Sequence, residues 1–272
     1  MRRKVEKLQE VEETKEEIKN VAAFFDLDGT LVPLPSLEWK FFRMLRYRKH
    51  IGIRSYFLWC VEALWQLPRG INQILHANKM YLGGISVGEK DLFKVPTFYP
   101  EAIERMVWHA ERGHLIVIVS GTLELLGERA ARALEAELGE RGLATKICVC
   151  ATRLEVKCGR YTGRILGEAI FGEAKARAVP RIAAEENLDL QRCFGYGDSV
   201  SDRWMLDAVG KPAAVNPSND LARIARRNDW PVLTWGKEKT FTQRAQRAER
   251  TQRSDESENE LHVARVKAGF RI

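Results

Sequence analysis

Two aspartates, Asp26 and Asp28, directly follow the apolar run over residues 21–25. Side chains two residues apart on a strand leave the backbone on the same side, so both carboxylates would face one crevice at the strand's end. A carboxylate pair beside a metal ion can divide labour, because one group can attack as a nucleophile while the other moves a proton. The pair therefore predicts an enzyme active site that other parts of the chain must complete.

Three further polar side chains lie where such a site would need them. Ser120 ends the apolar run over residues 115–119, Lys175 lies early in a predicted helix, and Asp198 ends another predicted strand. In open α/β sheets, ligands bind beyond the carboxyl ends of the strands. Several carboxylates near one point repel each other unless a divalent cation is bound, and oxygen ligands with a phosphate suit Mg²⁺. Lys175 and the groups near Ser120 could neutralise phosphate oxygens.

Together these features resemble the haloacid dehalogenase superfamily of phosphohydrolases. The similarity covers about residues 21–235, and the helical stretch after the first signature resembles the cap of the phosphoserine-phosphatase-like branch. Four signatures occur in the family order, each at the end of a fitting strand or on a fitting helix: Asp26-x-Asp28-Gly29-Thr30, Ser120-Gly121-Thr122, Lys175 and Gly197-Asp198-Ser199-x-x-Asp202.

The resemblance implies a Mg²⁺-dependent phosphatase that hydrolyses a phosphate monoester through an aspartyl phosphate. Asp26 would attack phosphorus, which splits one hard step into two. Asp28 would protonate the leaving oxygen and then deprotonate the attacking water. The Asp26 carboxylate, the Asp28 backbone carbonyl and Asp198 would hold Mg²⁺.

The resemblance also assigns the groups that hold the phosphoryl group. Ser120, the backbone N–H of Gly121 and Lys175 would contact its oxygens, and Asp202 would support the metal or orient Lys175. Phosphoryl transfer depends mostly on such positioning and charge neutralisation. The expected partner is therefore a small phosphorylated substrate, with no nucleic acid and no stable insertion into a membrane.

One departure from the branch's pattern affects the substrate. Phosphoserine phosphatases carry a glutamate about nine residues after the nucleophile, and that position here is Pro35, with the first acid at Glu38. This departure argues against phosphoserine as the substrate. A phosphoserine phosphatase proper, a lipid-phosphate phosphatase, a phosphotransferase and a catalytically silent phosphate-binding scaffold stay open as alternatives.

Strand and helix patterns alternate along most of the chain, which predicts an α/β fold with a Rossmann-like parallel sheet. Helical spacing without strand patterns after the first strand predicts a helical cap inserted there. The predicted division is a charged N-terminal arm at 1–19, an α/β core at 20–35 and 96–236, the cap at 36–95, and a charged, disordered tail at 237–272.

The composition is that of a globular protein, with 272 residues, a net charge of +7 and a pI of about 9.2. This positive charge favours anionic partners without choosing among them. We predict no signal peptide, because residues 1–19 lack an apolar segment. Five cysteines without a disulfide framework favour a cytoplasmic protein.

The cap combines basic and aromatic residues. Its most apolar stretch, residues 51–67, is shorter than a bilayer span and favours a buried helix, while peripheral membrane contact stays open. The basic cluster Arg43, Arg46, Arg48, Lys49 and Arg54 is typical of a solvated face, and could instead attract an anionic substrate or lipid headgroups. We expect the aromatics to form the core of the cap rather than a lipid-binding surface: Trp39, Phe41, Phe42, Tyr47, Tyr56, Phe57, Trp59 and Trp65.

Structural interpretations compete with the chemical ones at several positions. Asp28 and Gly29 could form an ordinary turn, and Lys175 could be a surface charge. Asp202 could cap a helix, and Asn216 could reach the site or simply end a strand. A calcium loop is disfavoured by Leu31 and Pro33, and a serine esterase by the lack of a suitably spaced histidine after Ser199.

Overall fold

The computed structural model describes residues 20–69, 77–95 and 97–236. The predictions for the arm at 1–19 and the tail at 237–272 lie outside these residues. Residues 1–233 and 234–272 form two separate units. The helices and strands of the described residues all belong to the first unit.

In the described residues, eight strands form one parallel sheet and one hairpin. The strands of the sheet are β1 (Ala22–Phe25), β2 (Leu115–Leu123), β3 (Ile147–Thr152), β6 (Phe194–Gly197), β7 (Lys211–Val215) and β8 (Val232–Leu233), and those of the hairpin are β4 (Leu154–Lys157) and β5 (Arg160–Ile165). The sheet has the order β3-β2-β1-β6-β7-β8 and every pairing in it is parallel. The predicted α/β class with a Rossmann-like sheet is confirmed.

Helices connect these strands and cover the sheet. The α-helices are α1 (Leu37–Tyr47), α2 (Ile53–Gln66), α3 (Pro100–Ala110), α4 (Glu124–Glu140), α5 (Glu173–Glu185), α6 (Arg203–Leu206) and α7 (Asn219–Arg227). Short 3₁₀ helices cover Leu67–Arg69, Met80–Leu82, Val87–Leu92 and Val200–Asp202. No helix in the described parts of the chain is long and apolar enough to cross a membrane.

The central strands are buried because their sequences are continuously apolar. All four residues of β1 are inaccessible to solvent, as are residues 116–119 of β2. Such runs are typical of strands covered by helices on both faces of a parallel sheet. Phe24, Val117 and Val179 belong to one buried cluster, so helix α5 packs directly on the sheet.

The strand order brings distant parts of the sequence to one edge of the sheet. β1 pairs with β2 on one side and with β6 on the other, with Phe25 opposite both Ile118 and Tyr196. The chain builds the sheet in one direction through β2 and β3 and then returns to the other side of β1. This reversal creates a crevice beyond the carboxyl ends of β1 and its neighbours, where α/β sheets bind ligands.

The segment between β1 and α3 is helical, as predicted. Helices α1 and α2 lie in it, and its described residues include no strand, although Ser86 forms an isolated bridge with Arg160 of β5. The Ser55 hydroxyl of α2 donates a hydrogen bond to the Gly83 carbonyl at 3.0 Å. The predicted domain bounds at 36 and 95 stay predictions.

The expectation that the aromatics of the cap form its core is wrong for five of the eight. Phe41 is fully buried, and Phe42 and Trp59 are half-buried. The others are exposed: Trp39, Tyr47, Tyr56, Phe57 and Trp65. Helical spacing shows that a helix has two faces, but it does not show which face the rest of the protein covers.

Candidate active site

One pocket of about 320 Å³ lies beyond the carboxyl ends of β1, β2 and β6. Most of the residues predicted from the sequence line it, namely Asp26, Asp28, Ser120, Gly121, Lys175 and Asp198. Asp202 lies directly behind Lys175. The structure therefore brings all seven predicted site residues together.

A buried lysine connects two of the aspartates. The Lys175 ammonium donates to Asp26 Oδ1 at 2.6 Å and to Asp202 Oδ1 at 2.5 Å. Lys175 is only 2% exposed, so these charge-assisted hydrogen bonds act in a region with little screening by water. The alternative interpretation of Lys175 as a surface charge is wrong.

Helix α5 delivers this lysine because it begins at the edge of the crevice. Gly172 precedes the helix with a φ of +56°, a left-handed conformation that glycine adopts readily. Lys175 then lies in the first turn, and its backbone N–H donates to the Gly172 carbonyl at 2.9 Å. A lysine in the first turn can reach back over the ends of the strands.

Asp202 contacts Lys175 and also caps a helix, while its support of a metal stays a prediction. Its Oδ1 accepts from Lys175, while its Oδ2 accepts from the backbone N–H groups of Asp198 at 3.2 Å and Ser199 at 2.9 Å. The Ser199 hydroxyl also donates to Oδ2, at 2.8 Å. Asp202 thus closes a capping box and orients the lysine at the same time.

Asp28 is held in place by the start of the cap. The backbone N–H of Leu37, the first residue of α1, donates to Asp28 Oδ1 at 2.7 Å. This bond satisfies one of the free donors at a helix N-terminus, where a carboxylate is favoured. The first helix of the cap therefore fixes the side chain predicted to move the proton.

Gly29 allows the loop after β1 to pass close to Asp198. Its φ is +93°, and a Cβ atom added there would lie 2.6 Å from Cγ of the Asp198 carboxyl group. Any side chain at this position would displace that carboxyl group. The Asp28-Gly29 turn is therefore real, and it forms part of the site.

The strand that carries Ser120 is longer than predicted. β2 continues to Leu123 rather than ending at Val119, with an irregular register against β3 between Ser120 and Leu123. Such an irregularity bends a strand and redirects its side chains. Here it places residues 120–122 along the pocket, with Ser120 Oγ accepting from the Thr122 backbone N–H at 3.3 Å.

Burial raises the pKa of the three aspartates that line the pocket. Burial, reinforced by Asp202 and opposed by Lys175, raises the pKa of Asp26 to about 7. Burial raises the pKa of Asp28 to about 6, against the Leu37 hydrogen bond. Burial and the charge of Asp26 raise the pKa of Asp198 to about 9. The positive charge in the pocket is thus too small to stabilise all three of these aspartates in their ionised form.

These carboxyl groups fit a divalent cation. Asp26, Asp198 and Asp202 each present a ligand atom, and these atoms lie within 4.8 Å of one another. Because both oxygens of Asp202 already accept hydrogen bonds, Asp26 and Asp198 are the better candidates to hold the ion. Hard oxygen ligands of this kind suit Mg²⁺.

The structure adds two pocket residues to which the sequence interpretation assigned no role in the site. Glu38 lines the pocket, and its two oxygens accept from the buried Lys79 ammonium at 2.6 and 2.8 Å. The Tyr81 hydroxyl donates to Glu38 Oε1 at 2.7 Å. Thr122 also lines the pocket, and its buried hydroxyl oxygen has no hydrogen-bond partner within the described ranges. Its place directly after Ser120-Gly121 was the available signal.

A larger cavity of about 740 Å³ lies at the other end of the sheet. It is lined by residues at the amino ends of β6 and β7, such as Phe194 and Lys211. Size alone would favour this cavity. The smaller pocket is the better candidate, because it holds the interacting carboxyl groups and lies where α/β sheets bind ligands.

Comparison with known proteins agrees with this geometry. The family model for haloacid dehalogenase-like hydrolases matches residues 23–207. A probable phosphatase of Mycobacterium tuberculosis is 34% identical over 238 residues, which is 82% of this chain and 78% of the relative. A phosphoserine phosphatase of the same organism is 31% identical over 227 residues, which is 78% of this chain and 70% of the relative.

Solved structures share the fold. A protein of unknown function from Bordetella pertussis Tohama I has a TM-score of 0.61 and 29% identity, over 79% of this chain and 98% of the other. A substrate-bound phosphoserine phosphatase has a TM-score of 0.54 and 21% identity, over 79% of this chain and 92% of the other. At that identity the second likeness supports the fold alone.

Proposed function

The chain belongs to the haloacid dehalogenase-like hydrolase family and is a phosphatase, and on this premise we propose that Asp26 carries the phosphoryl group of a phosphate monoester between its leaving group and water. The observation that supports this proposal is the contact between Asp26 and Lys175 inside a pocket that Asp28 also lines. The hydrogen bond from the buried ammonium fixes the position of the buried carboxylate, from which it can attack a phosphorus atom.

In the first step, Asp26 forms a bond from one carboxylate oxygen to phosphorus, and the bond from phosphorus to the leaving oxygen breaks. Asp28 gives its proton to that oxygen, so the product leaves as an alcohol. In the second step Asp28 takes a proton from water, whose oxygen attacks phosphorus. The bond to Asp26 breaks, inorganic phosphate leaves, and both carboxyl groups return to their starting states.

The phosphoryl oxygens would be held by Ser120, the backbone N–H of Gly121 and Lys175. Bound Mg²⁺, held by the Asp26 carboxylate, the Asp28 backbone carbonyl and Asp198, would supply positive charge for the phosphoryl oxygens. Of the two roles that the sequence suggested for Asp202, we favour the positioning of Lys175, because Asp202 Oδ1 accepts a hydrogen bond from that lysine.

A glutamate of the cap indicates which substrates the pocket would accept. Glu38 is the first acid after Asp28, and its oxygens accept hydrogen bonds from both Lys79 and Tyr81. A carboxylate neutralised in this way offers little attraction to the ammonium group of an amino-acid substrate. We therefore favour a small phosphorylated metabolite without such a group over phosphoserine, although one relative is named a phosphoserine phosphatase. A cytoplasmic location and the lack of a nucleic-acid partner stay predictions from the sequence.

The test is hydrolysis of para-nitrophenyl phosphate, with and without Mg²⁺, by the wild-type protein and by Asp26→Asn. The variant removes the charge of the nucleophile at constant size, and loss of a nucleophile lowers turnover by about 1000-fold or more. Asp220→Asn is the matched control, because Asp220 is exposed on α7 and does not line the pocket. Turnover by Asp26→Asn at the wild-type rate would refute the proposal.

A panel of phosphorylated metabolites, measured by released phosphate, tests the substrate class. We expect phosphoserine to be hydrolysed more slowly than phosphate esters that lack an ammonium group. A clear preference for phosphoserine would show that Glu38 exchanges Lys79 for the substrate, and it would overturn this part of the proposal.

A further inference from the structure

Helix α2 of the cap exposes several large apolar side chains, while its two buried residues are polar. Its buried residues are Ser55 and Gln66, both polar. Its exposed residues include Ile53, Phe57 and Leu64. A helix that serves only to fill a protein core buries its apolar stripe instead.

The outward residues form one stripe, here named the apolar stripe and defined as Ile53, Phe57, Val61 and Leu64. Their exposed fractions are 89%, 65%, 48% and 67%. The spacings of four, four and three residues place them on one face of the helix. Single exposed apolar residues are ordinary, but a contiguous patch marks a surface that binds something.

Along the chain, a group of basic residues lies at and before the N-terminal end of this stripe. The basic cluster (Arg43, Arg46, Arg48, Lys49 and Arg54) lies on the second half of α1, on the connection to α2 and on the first turn of α2. All five side chains are exposed. None of them forms an ion pair with another residue in the part of the chain that the structure describes.

The acidic residues of the same two helices do not offset this charge. Glu38 is paired with Lys79, and Glu62 accepts a hydrogen bond from Gln66 at 2.6 Å on the inward side of α2. The outward surface therefore combines apolar side chains with cations that have no ion-pair partner among the described residues, and α1 and α2 add no exposed acidic group to it.

We propose that this face of the cap docks on an anionic membrane surface. Helices that lie in the headgroup region present an apolar face with large aliphatic and aromatic side chains, flanked by lysine and arginine. The cations would contact lipid phosphates while the apolar stripe enters the boundary of the acyl chains. A second copy of the chain fits less well, because it would bring the same positive charge against the basic cluster.

This proposal goes beyond the phosphatase function and does not depend on it. Co-sedimentation of the full chain with vesicles measures docking directly, without any turnover. The vesicles contain phosphatidylcholine alone or phosphatidylcholine with about 30% phosphatidylglycerol. We expect binding to the anionic vesicles at low salt, and much weaker binding in 0.5 M salt, where charges are screened within about 4 Å.

Two double variants separate the apolar and charged contributions. Phe57→Gln with Leu64→Gln should lower the partition coefficient about tenfold or more, because each buried side chain of this size contributes strongly. Arg48→Gln with Arg54→Gln should lower it about 25-fold, since each cation near an anionic surface is worth about fivefold. All four side chains are exposed, so the fold should persist, which circular dichroism checks.

The controls make changes of the same kind elsewhere on the surface. Val156→Gln replaces an exposed valine of β4, and Arg226→Gln with Arg227→Gln removes two exposed cations of α7. These variants should bind as the wild-type protein does. Vesicle binding that the cap variants leave unchanged would mean that another part of this basic chain binds, and would overturn the proposal. Absence of binding by the folded wild-type protein, or dimerisation through the stripe instead, would also overturn it.

Discussion

At the scale of single residues, each charged group behind the pocket contacts several partners. Lys175 contacts two carboxylates, and Asp202 divides its oxygens between the lysine and a helix cap. Removing either partner would leave a buried charge uncompensated, which is among the costlier changes in a protein. The glycines near the site matter for a different reason, because they let the carboxyl groups approach the backbone.

Gly29→Ala tests this close approach. The new methyl group would meet the Asp198 carboxyl group in a backbone conformation that alanine rarely adopts. We expect a loss of about 1–3 kcal/mol in the free energy of unfolding and a fall of about 100-fold in kcat/KM. Urea denaturation and a phosphatase assay measure the two effects.

Gly139→Ala is the control for that change. Gly139 lies exposed in α4, with open space where a Cβ would be, so alanine there should stabilise the helix by about 1 kcal/mol. If Gly29→Ala retained full activity, the loop after β1 would not constrain the position of Asp198.

At the scale of elements, helix α5 contains a proline in its interior and still places Lys175 in the pocket. Pro180 lies in the interior of α5, where it provides no backbone N–H, and its side chain is exposed. A proline inside a helix costs about 3 kcal/mol. Lys175 lies in the first turn, before the position that the proline affects.

Pro180→Ala should therefore stabilise the protein by about 1–3 kcal/mol and leave kcat/KM unchanged. Thermal or urea denaturation gives the first quantity and a phosphatase assay the second. Arg177→Ala, at another exposed position of α5, should shift stability by no more than about 0.5 kcal/mol. Destabilisation by Pro180→Ala would mean that α5 needs the proline in order to pack on the sheet.

The sequence predicted these elements well where its pattern is strong. Continuous apolar runs predicted β1 and the start of β2. The rule that ligands bind at the carboxyl ends of parallel strands then placed Asp26 and Asp198 together.

What the sequence could not predict depends on tertiary packing. Glu38 and Lys79 are 41 residues apart, and no local pattern pairs them. The outward direction of the apolar stripe also escaped prediction, because helical periodicity is the same whichever face is covered. The extension of β2 to Leu123 was missed because Ser120 and Gly121 interrupt its apolar run.

At the scale of the whole molecule, a buried aromatic cluster ties α3 to the sheet. His109 of α3 is fully buried, with its Nε2 3.0 Å from the Tyr196 hydroxyl and its Nδ1 2.8 Å from His114 Nδ1. Tyr196 stacks on Phe25 at a centroid distance of 4.5 Å. Burial, together with the neighbouring His114 and Arg105, lowers the pKa of His109 to about 3.

This histidine should make stability depend on pH. Between about pH 6.5 and pH 3 the unfolded chain binds a proton at His109 that the folded protein does not, so stability falls as the pH falls. The contribution of His109 at pH 5 is a loss of about 2 kcal/mol relative to pH 7. The raised pKa values of the carboxyl groups in the pocket act in the opposite direction, so the comparison must be between variants.

His109→Gln removes the titrating group and retains a polar side chain near Tyr196. We expect this variant to be less stable than the wild type at pH 7, but to lose about 2 kcal/mol less between pH 7 and pH 5. Urea unfolding at the two pH values measures both quantities. Equal losses in the two proteins would mean that His109 does not control this part of the pH profile.

The most direct test of the central claim is the covalent state of Asp26 during turnover. The protein is mixed with a good substrate and Mg²⁺, quenched in acid within the first turnover, and digested for mass spectrometry. The account predicts one phosphoryl group on the peptide that contains Asp26, in the wild type and in Asp220→Asn but absent from Asp26→Asn. Rapid turnover with no phosphoryl group on that peptide at any quench time, or with the group on another residue, would contradict it.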